Sequence, residues 1–447
     1  MDTWPDTERI LSMTTKMARF TQRARENPHR QYNALMGMLF DPEGLNASFE
    51  RQAANKAPGV DGMRKADYAE GLSIRLADLS VRLRRLGYRP KPARRVFIPK
   101  ANGGQRALGV PSFEDRIVQD QLSQILQGIW EPEFRDCSYG FRPGRNAHQA
   151  LRRLAEVVTR ERTQWMVEAD IKGFFDNVTH EHLMRFLAHK INDPIFLRII
   201  QRFLKAGVME DGMVTTSEHG TPQGGLASPV LANIYLHYVL DLWFEKRFAK
   251  SCKGAAHLVR YADDFVACFQ SEADARQFLE ELKERLAQFD LEVEPSKTAI
   301  LCFGDMAPAF CKREGLRRPQ TFSFLGFTHF VARSRSGRFL VGRKTQGERM
   351  RKKLREMNVR LAHMRTQGGK AMMEFVRRHL QGHLQYYGVS GNSRSLRQYV
   401  HKIRRILFKW INRRSQRRSA TWATFDKTVA RYIPPVRIVH NLYPSPR

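Results

Sequence analysis

Two adjacent acidic residues, Asp263 and Asp264, stand between two short apolar runs in the segment Val259-Arg-Tyr-Ala-Asp-Asp-Phe-Val266. The runs are typical of β-strands, which places both carboxylates at the tip of a hairpin. Neighbouring carboxylates repel each other, and a tip selected for stability favours Asn-Gly or Asp-Gly. A divalent cation removes this repulsion, and Mg²⁺ commonly binds one or two carboxylates together with water and phosphate oxygens. The pair predicts a metal site, with an ordinary surface turn as the alternative.

A third carboxylate, Asp170, ends the run Trp165-Met-Val-Glu-Ala-Asp170, whose alternation predicts another strand. Three carboxylates brought onto one sheet from separate strands can bind two metal ions ~4 Å apart, which activate an attacking hydroxyl and stabilise a leaving phosphate. Nucleotidyl transfer fits this set, and a buried acid at a strand end is the alternative for Asp170. We expect Asp176 to cap a helix or form a local ion pair instead of binding metal.

A basic hairpin is predicted from residues 94 to 111, where two strand-like runs flank Ala-Asn-Gly-Gly. Lys100 and Arg106 lie on either side of this turn and could hold the phosphates of an incoming nucleotide. The alternative is a solvated edge hairpin, because edge strands often carry Lys and Arg that prevent pairing with other chains.

Four further residues are candidates for contact with a nucleotide. Gln223 lies in the loop Gly220-Thr-Pro-Gln-Gly-Gly225, whose glycines permit close approach of a backbone or base pair. Phe174 and Phe175 follow the Asp170 strand and could pack against a sugar, although core packing is the alternative. Lys297 could protonate a departing pyrophosphate, or it is an ordinary surface lysine.

Positive charge is concentrated at the C-terminal end of the chain. The net charge is +31 over 447 residues, and +25 of it lies in residues 331–447, where 29 Lys and Arg stand against 4 Asp and Glu. Excess charge of one sign destabilises a compact state by self-repulsion, so it indicates a polyanionic partner, with a merely solubilising basic face as the alternative. We expect a phosphate-binding surface in this third of the chain.

Composition and spacing exclude several other classes. The length suits about three domains, and a hydrophobic content of 42% allows sizeable cores. The five cysteines are irregularly spaced without a C-x-x-C pair, which favours thiols in a reducing compartment over a zinc site. The N-terminus is acidic and polar, unlike a signal peptide, and the apolar stretch 226–244 is interrupted by polar residues. We expect a cytoplasmic protein that does not associate with membranes.

Several sequence blocks in a fixed order resemble the polymerase core of group II intron reverse transcriptases, and the resemblance extends over most of the chain. The blocks are Ala57-Pro-Gly-Val-Asp-Gly62, Arg94-Arg-Val-Phe-Ile-Pro-Lys100, Arg106-Ala-Leu-Gly-Val-Pro111, Tyr139-Gly-Phe-Arg-Pro-Gly-Arg145, Ala169-Asp-Ile-Lys-Gly-Phe-Phe-Asp176, Gly220-Thr-Pro-Gln-Gly-Gly-Leu-Ala-Ser-Pro229, Arg260-Tyr-Ala-Asp-Asp264 and Phe324-Leu-Gly-Phe327.

The resemblance implies roles for individual residues. Asp170, Asp263 and Asp264 would bind two catalytic Mg²⁺ ions, with Mn²⁺ as an alternative, and Ile171 is assigned to the same metal site. Lys100, Arg106 and Gln223 would contact the deoxynucleoside triphosphate, and either Phe174 or Phe175 would select against the 2′-hydroxyl. Lys297 is assigned to catalysis. The residues assigned to template and primer are Arg94, Arg142, Tyr261, Leu325, Gly326, Arg404, Arg413 and Arg414.

The fold implied by the resemblance is α+β, a right-hand polymerase with fingers and a palm built on a ferredoxin-like antiparallel sheet, followed by an α-helical thumb. The expected boundaries are a helical N-terminal extension at 1–55, fingers at 56–165, palm at 166–330 with the two interleaved, a basic thumb or domain X at 331–420, and a short DNA-binding-type tail at 421–447. The HNH endonuclease motifs of many relatives have no counterpart in the sequence, so we expect no second-strand cleavage.

The function implied by the resemblance is RNA-directed DNA synthesis, combined with maturase binding of group II intron RNA for splicing and retrotransposition. The partners would be an RNA template, structured intron RNA, a DNA primer or target and deoxynucleotides, in the nucleoid of a bacterial cytoplasm; the sequence sets no oligomeric state. One alternative is a domesticated enzyme of antiviral defence, CRISPR adaptation or DNA repair. Another is an RNA-binding splicing cofactor without polymerase activity.

Overall fold

The computed structural model describes residues 17–99, 104–161, 163–216, 219–220, 224–413 and 420–444. Helices and strands are mixed along the chain, which confirms the prediction of an α+β protein. The strands are β1 (Ala93–Pro99), β2 (Gln105–Val110), β3 (Trp165–Asp170), β4 (Val208–Glu210), β5 (Met213–Thr215), β6 (Ala256–Tyr261), β7 (Asp264–Phe269), β8 (Ala299–Cys302), β9 (Phe322–Phe324), β10 (Phe327–Arg333) and β11 (Phe339–Thr345).

Helices surround these strands in the described parts of the chain. They are α1 (residues 17–26), α2 (Met36–Leu39), α3 (Pro42–Arg51), α4 (Lys65–Ala69), α5 (Leu72–Arg84), α6 (Phe113–Trp130), α7 (Ala147–Arg160), α8 (Phe174–Asn177), α9 (His180–Ala188), α10 (Pro194–Lys205), α11 (Ser228–Leu236), α12 (Ala249–Ser251), α13 (Glu272–Ala287), α14 (Ala307–Arg313), α15 (Gly347–His363), α16 (Gly369–Tyr387), α17 (Ser393–Asn412) and α18 (Trp422–Val429).

The central sheet has the strand order β6-β7-β3-β8, with all neighbours antiparallel. In chain order, helices separate β3 from β6, and α13 separates β7 from β8, which is the sequence of a β-α-β-β-α-β unit. Alternation along the strands sends apolar side chains to both faces. One face contributes Val167, Ala169, Phe265, Ala267 and Phe269 to the larger core, and the other contributes Met166, Val259, Val266 and Cys268 to a second core.

A second sheet, the hairpin sheet, has the order β2-β1-β4-β5. Strands β1 and β2 pair antiparallel from Arg94 opposite Val110 to Pro99 opposite Gln105, as the turn residues between them predicted. Strand β4 adds parallel to β1 through Ala93 and Arg94. The basic hairpin therefore projects from a sheet that is separate from the one carrying Asp170.

One long helix, residues 228–251, carries two π-helical turns. It begins as α11, widens at His237–Asp241 and again at Phe244–Phe248, and ends as α12. Its first half is almost wholly buried, which explains the apolar stretch in the sequence. No described helix is both long enough and apolar enough to cross a lipid bilayer.

The C-terminal third begins with a three-stranded sheet of order β11-β10-β9 and continues with the helices α15, α16 and α17. These elements pack on the second core, against the face of the central sheet that also receives α7. The chain then returns to this body: His440 forms an isolated bridge with Val389, and the buried Leu442 donates its N–H to Ser390 Oγ at 2.9 Å. All five cysteines are free thiols.

Candidate active site

The strand register brings the three predicted carboxylates to one end of the central sheet. Asp170, the last residue of β3, pairs with Asp264, the first residue of β7, and Asp264 also pairs with Tyr261 across the β6–β7 hairpin. Ala262 and Asp263 form the two-residue turn between these strands. The hairpin predicted from the alternation of residues 259–266 is therefore present, with Asp170 on the adjacent strand.

The turn has a strained backbone. Ala262 has a φ of 59°, in the left-handed region that a residue with a Cβ adopts at a cost of about 1–2 kcal/mol. The loop before α7 lies directly on this turn, and a side chain at Gly140 would collide with the main-chain nitrogen of Ala262. The short side chain at 262 and the absent one at 140 let the two segments approach closely.

Burial, together with the neighbouring negative charges, raises the pKa of both Asp263 and Asp264. Burial raises the pKa of Asp264 to about 7, with further contributions from the charges of Asp263 and Asp170. Burial also raises the pKa of Asp263; Asp170 adds to this, while the cations Arg106 and Lys297 oppose it. Burial and repulsion both disfavour the ionised forms of Asp263 and Asp264, and a bound metal ion relieves both.

Lys297 lies directly at the site, as the sequence hypothesis requires. It forms an ion pair with the Asp170 carboxylate, and the hydrogen bond to this carboxylate raises the pKa of Lys297. The 3₁₀ turn Pro295–Lys297 is held beside β3 because the N–H of Glu294 donates to the main-chain oxygen of Asp170 at 2.7 Å. The ammonium group is thus anchored next to the carboxylates and remains largely exposed.

The carboxylate oxygens of the site are ligands of the kind that Mg²⁺ prefers. In the described ranges, however, no group of three or more Asp, Glu, His or Cys side chains is arranged closely enough to hold a metal ion by itself. Mg²⁺ seldom needs such a group, because it usually binds through one or two carboxylates and completes its octahedron with water and substrate phosphates. Ile171, assigned to the same site, is buried and forms a bridge with Val293.

The candidate nucleotide-binding residues differ in their position relative to the carboxylates and in their burial. Arg106 lies near enough to Asp263 for its charge to lower the pKa of that carboxyl. Phe174 is only 2% exposed and belongs to the core, whereas Phe175 is half-buried, with its ring edge-on to Phe174 at 5.3 Å. Lys100 and Gln223 lie outside the described residues. Gly224, next to Gln223, packs so closely on the carbonyl oxygen of Gly109 in β2 that no side chain would fit.

The candidate primer turn, Leu325-Gly326, links the carboxylates to the C-terminal helices. Both residues have positive φ, 50° and 82°, which makes the tight connection from β9 to β10. The main chain of Leu325 hydrogen-bonds to Asp264 and lowers its pKa. On its other side, the Leu325 carbonyl accepts a hydrogen bond from Tyr386 Oη of α16 at 2.9 Å. Tyr261 is half-buried, with its ring 6.4 Å from that of Phe141.

The arginines assigned to template and primer have different surroundings. Arg142 is 7% exposed, is paired with Glu131 and donates to the carbonyls of Arg135 and Ser138, so its guanidinium is engaged inside the protein. Two others also have protein partners: Arg94 donates twice to the Pro58 carbonyl, and Arg404 pairs with Asp426. Arg413 is exposed over the Trp410 ring, and Arg414 lies outside the described residues.

The structure has a basic cleft near the carboxylates that was not predicted from the sequence. It has a volume of about 610 Å³ and lies between the β1–β2 hairpin and the helices α15 and α16. Lys352 Nζ bridges the cleft to the Pro99 carbonyl at 3.0 Å. The signal available in the sequence was the spacing of Arg349, Lys352 and Lys353, which places three cations on one side of a helix. The cationic and aromatic lining residues are Arg106, Arg349, Lys352, Lys353, Tyr386 and Tyr387.

Comparison with known proteins gives related sequences for most of the chain. Residues 98–329 match the family described as Reverse transcriptase (RNA-dependent DNA polymerase). Protein YkfC of Escherichia coli is 32% identical over 365 residues, which cover 74% of this chain and 91% of YkfC. The group II intron-encoded protein LtrA of Lactococcus lactis is 37% identical over 232 residues, or 51% of this chain. This match spans only 38% of LtrA.

Proposed function

Because the chain belongs to the reverse transcriptase family and is related to its group II intron-encoded members, we propose that it is an active RNA-directed DNA polymerase. The observation that carries the proposal is the meeting of Asp170, Asp263 and Asp264 at one end of the central sheet, with Asp264 at a pKa of about 7. Reverse transcriptases generally use divalent metal ions, and these carboxylates are hard oxygen ligands suited to Mg²⁺.

In the proposed mechanism, Asp170, Asp263 and Asp264 would hold two Mg²⁺ ions, and Ile171, whose side chain is buried, is assigned to the same site. Bound metal would activate the primer 3′-hydroxyl and stabilise the leaving pyrophosphate. Asp264 must lose its proton before it can serve as a ligand, so its raised pKa makes metal binding depend on pH near neutrality. Lys297 would exchange its ion pair with Asp170 for contact with the pyrophosphate, to which it donates a proton.

The remaining residues bind and select the substrates. Lys100, Arg106 and Gln223 would hold the incoming deoxynucleotide from the hairpin side. The Leu325-Gly326 turn would position the primer end, since its main chain already contacts Asp264. The template and primer would run along the basic helices of the C-terminal third, where the charge excess of +25 neutralises phosphates.

Primer extension tests the proposal directly. The purified chain should extend a DNA primer on an RNA template with Mg²⁺, and Asp263→Ala and Asp264→Asn should each reduce the rate by roughly a thousandfold or more, as expected for removal of a catalytic ligand. Asp305→Asn is the matched control, because Asp305 is an exposed acid paired with Arg333 away from the three carboxylates. Wild-type rates in either carboxylate variant would refute the metal assignment.

The sugar gate is proposed to be Phe175, since Phe174 is committed to the core. Phe175→Ala should admit ribonucleotides, measured as the ratio of ribonucleotide to deoxynucleotide incorporation. Phe174→Ala should instead lower the free energy of unfolding by about 3–5 kcal/mol, the cost of removing a buried aromatic ring. A change in sugar selection confined to Phe174→Ala would place the gate one residue earlier.

The biological setting proposed for this polymerase is maturase action on its own group II intron RNA, which the relationship to LtrA and the basic C-terminal surface support. A domesticated role in defence, CRISPR adaptation or repair uses the same chemistry. Flanking nucleotide sequence distinguishes the two: a gene within a foldable group II intron supports the maturase, while neighbouring defence genes support the domesticated enzyme.

A further inference from the structure

A fully buried ion pair lies behind the turn that carries the acidic pair. Arg260, in β6, and Asp241, in the helix of residues 228–251, both have side chains that are 0% exposed. The pair is bidentate: Arg260 Nε donates to Asp241 Oδ1 at 2.7 Å, and a terminal guanidinium nitrogen of Arg260 donates to the other carboxylate oxygen. A planar two-point contact of this kind fixes orientation as well as distance.

The remaining guanidinium nitrogen of Arg260 reaches the turn itself. It donates to the carbonyl of Ala262 at 2.8 Å and to Asn233 Oδ1 at 3.0 Å. Asn233 in turn donates its Nδ2 to the carbonyl of Gly140 at 2.7 Å, so one amide joins the guanidinium to the loop that lies on the turn. The main chain of Arg260 also pairs with this loop, through Cys137 and Tyr139.

The first π-helical turn makes this network possible. Asn233 and Asp241 are eight residues apart, and in an uninterrupted α-helix they would point about 80° away from each other. The π-helical turn at His237–Asp241 accommodates one extra residue. The two side chains then differ by only about 20° around the helix, and both reach the same guanidinium.

Stability alone is a poor explanation for such a network. Burying two charges costs several kcal/mol per ion, and apolar residues of similar volume often serve the fold as well or better. One hydrogen bond of Arg260, however, goes to the carbonyl of Ala262, the residue with positive φ that precedes both acidic residues. The turn is thus tied to the helix through its strained residue.

We propose that Arg260, Asp241 and Asn233 are positioning residues that hold the Ala262 turn in the conformation that delivers Asp263 and Asp264 to the reaction. None of the three would touch substrate; they would act through the Ala262 carbonyl and the Gly140 loop. The inference rests on the proposed polymerase function for its consequence, but the restraint on the turn is a property of the protein without substrate.

Arg260→Lys tests the proposal, because lysine keeps the positive charge opposite Asp241 and loses the fork that also reaches Ala262. Polymerisation kcat should fall roughly 100-fold, as for a misplaced reacting group, while the KM for deoxynucleotide stays within about twofold. Hydrogen–deuterium exchange of the amides of residues 262–264, measured without substrate, should become faster.

Two further variants separate positioning from folding. In the double variant Arg260→Met/Asp241→Leu both charges are gone, so the fold should be retained while kcat stays low and exchange stays fast. Arg82→Lys is the matched control, since Arg82 makes a bidentate pair with Glu114 and does not contact the turn. Its kcat and turn exchange should equal those of the wild type.

The possible outcomes are distinct. Wild-type kcat in the double variant, or unchanged exchange at the turn in Arg260→Lys, would overturn the proposal, as would an equal loss of kcat in Arg82→Lys. If the double variant does not fold, Asn233→Ala, which leaves the ion pair intact, should still show faster exchange. Absence of polymerisation by the wild-type protein would refute the proposed function, while the exchange measurements would still decide whether the network restrains the turn.

Discussion

Arg260 in the central sheet and Arg343 in the three-stranded sheet are both completely buried, but among the described residues only Arg260 has an acidic partner for its charge. Burial acts to lower the pKa of Arg260, yet the charge and hydrogen bonds of Asp241 outweigh it, and the pKa is raised. Arg343 in β11 donates one hydrogen bond, to the Leu151 carbonyl at 3.0 Å. Its Nε and other terminal nitrogen have no partner among the described residues, and burial lowers its pKa to about 10.

The surroundings of the two arginines differ in the same way. Opposite Arg343 in the β10–β11 pairing stands His329, which is also fully buried and whose ring stacks on that of Phe322 at 4.7 Å. Arg260 instead has an acid and an amide placed for it by a modified helix. The arginine with an acidic partner is the one that contacts the turn carrying Asp263 and Asp264, which agrees with the positioning role proposed for Arg260.

The largest expected effect comes from removing each charge. Arg260→Met should lower the free energy of unfolding by about 3–5 kcal/mol, because it leaves Asp241 buried and unpaired. Arg343→Met should change it by less than about 1 kcal/mol, since removal of the hydrogen bond is offset by removal of a costly buried charge. Urea unfolding of both variants measures the two values, and equal losses would erase the distinction between the sheets.

The pH dependence of stability should show the two regions acting in opposite directions. The pKa of Asp264 is raised to about 7, so the folded state binds the extra proton and stability is lost as pH rises from about 4 to about 7. The pKa of His329 is well below its usual value because the ring is buried, so stability is lost as pH falls below about 6.5.

Melting temperature measured against pH without divalent ions would separate these contributions. Asp264→Asn should flatten the decline towards neutral pH and leave the acid side unchanged, whereas His329→Phe should flatten the acid side. Asp305→Asn, at an exposed position, should alter neither. A single variant that changed both sides would show that the two regions titrate together.

The smallest effects are expected at cations that neither sheet buries. Replacing the exposed Arg351, Arg355 and Arg360 of α15 with Gln should leave stability unchanged and weaken RNA binding. The slope of log affinity against log salt should decrease by about 0.7–0.9 for each phosphate that the variant no longer neutralises. Arg276→Gln with Lys283→Gln on the acidic helix α13 is the control, and an equal decrease in slope there would place the polyanion surface elsewhere.

The sequence was most informative where chemistry and periodicity coincide. Alternation around Asp170 and Asp264 predicts two strands, and the chemistry of a two-metal site predicts that these strands bring three carboxylates onto one sheet, so the candidate site could be located before the fold was known. For Lys297 the sequence left two interpretations open, a proton donor and a surface lysine, because its contact with Asp170 depends on a 3₁₀ turn that no periodicity predicts.

Burial was the quantity that the sequence did not reveal. Arg142, in a Gly/Pro loop, was assigned to template and primer, yet it is 7% exposed and its guanidinium is paired with Glu131. Phe174 and Phe175 have the same side chain, and they differ only in burial, because they lie on different sides of a short helix. The partner of Arg260 is nineteen residues earlier, on a helix whose extra residue disrupts the 3.6-residue period used to predict faces.

The π-helical turn at His237–Asp241 sets a rule for reading related sequences. Asn233 and Asp241 are eight residues apart, and the π-helical turn between them absorbs one residue. In a plain α-helix, an amide and a carboxylate seven residues apart would have the same angle between them around the helix axis. A related protein with either spacing, seven residues without a π-helical turn or eight residues with one, can therefore keep the contact between carboxylate and arginine. A one-residue gap at this place in an alignment would then mark a change from π-helix to α-helix, with the carboxylate in the same position. Adding or removing one residue without such a change of helix type would turn the carboxylate by about 100° and leave the arginine without its partner.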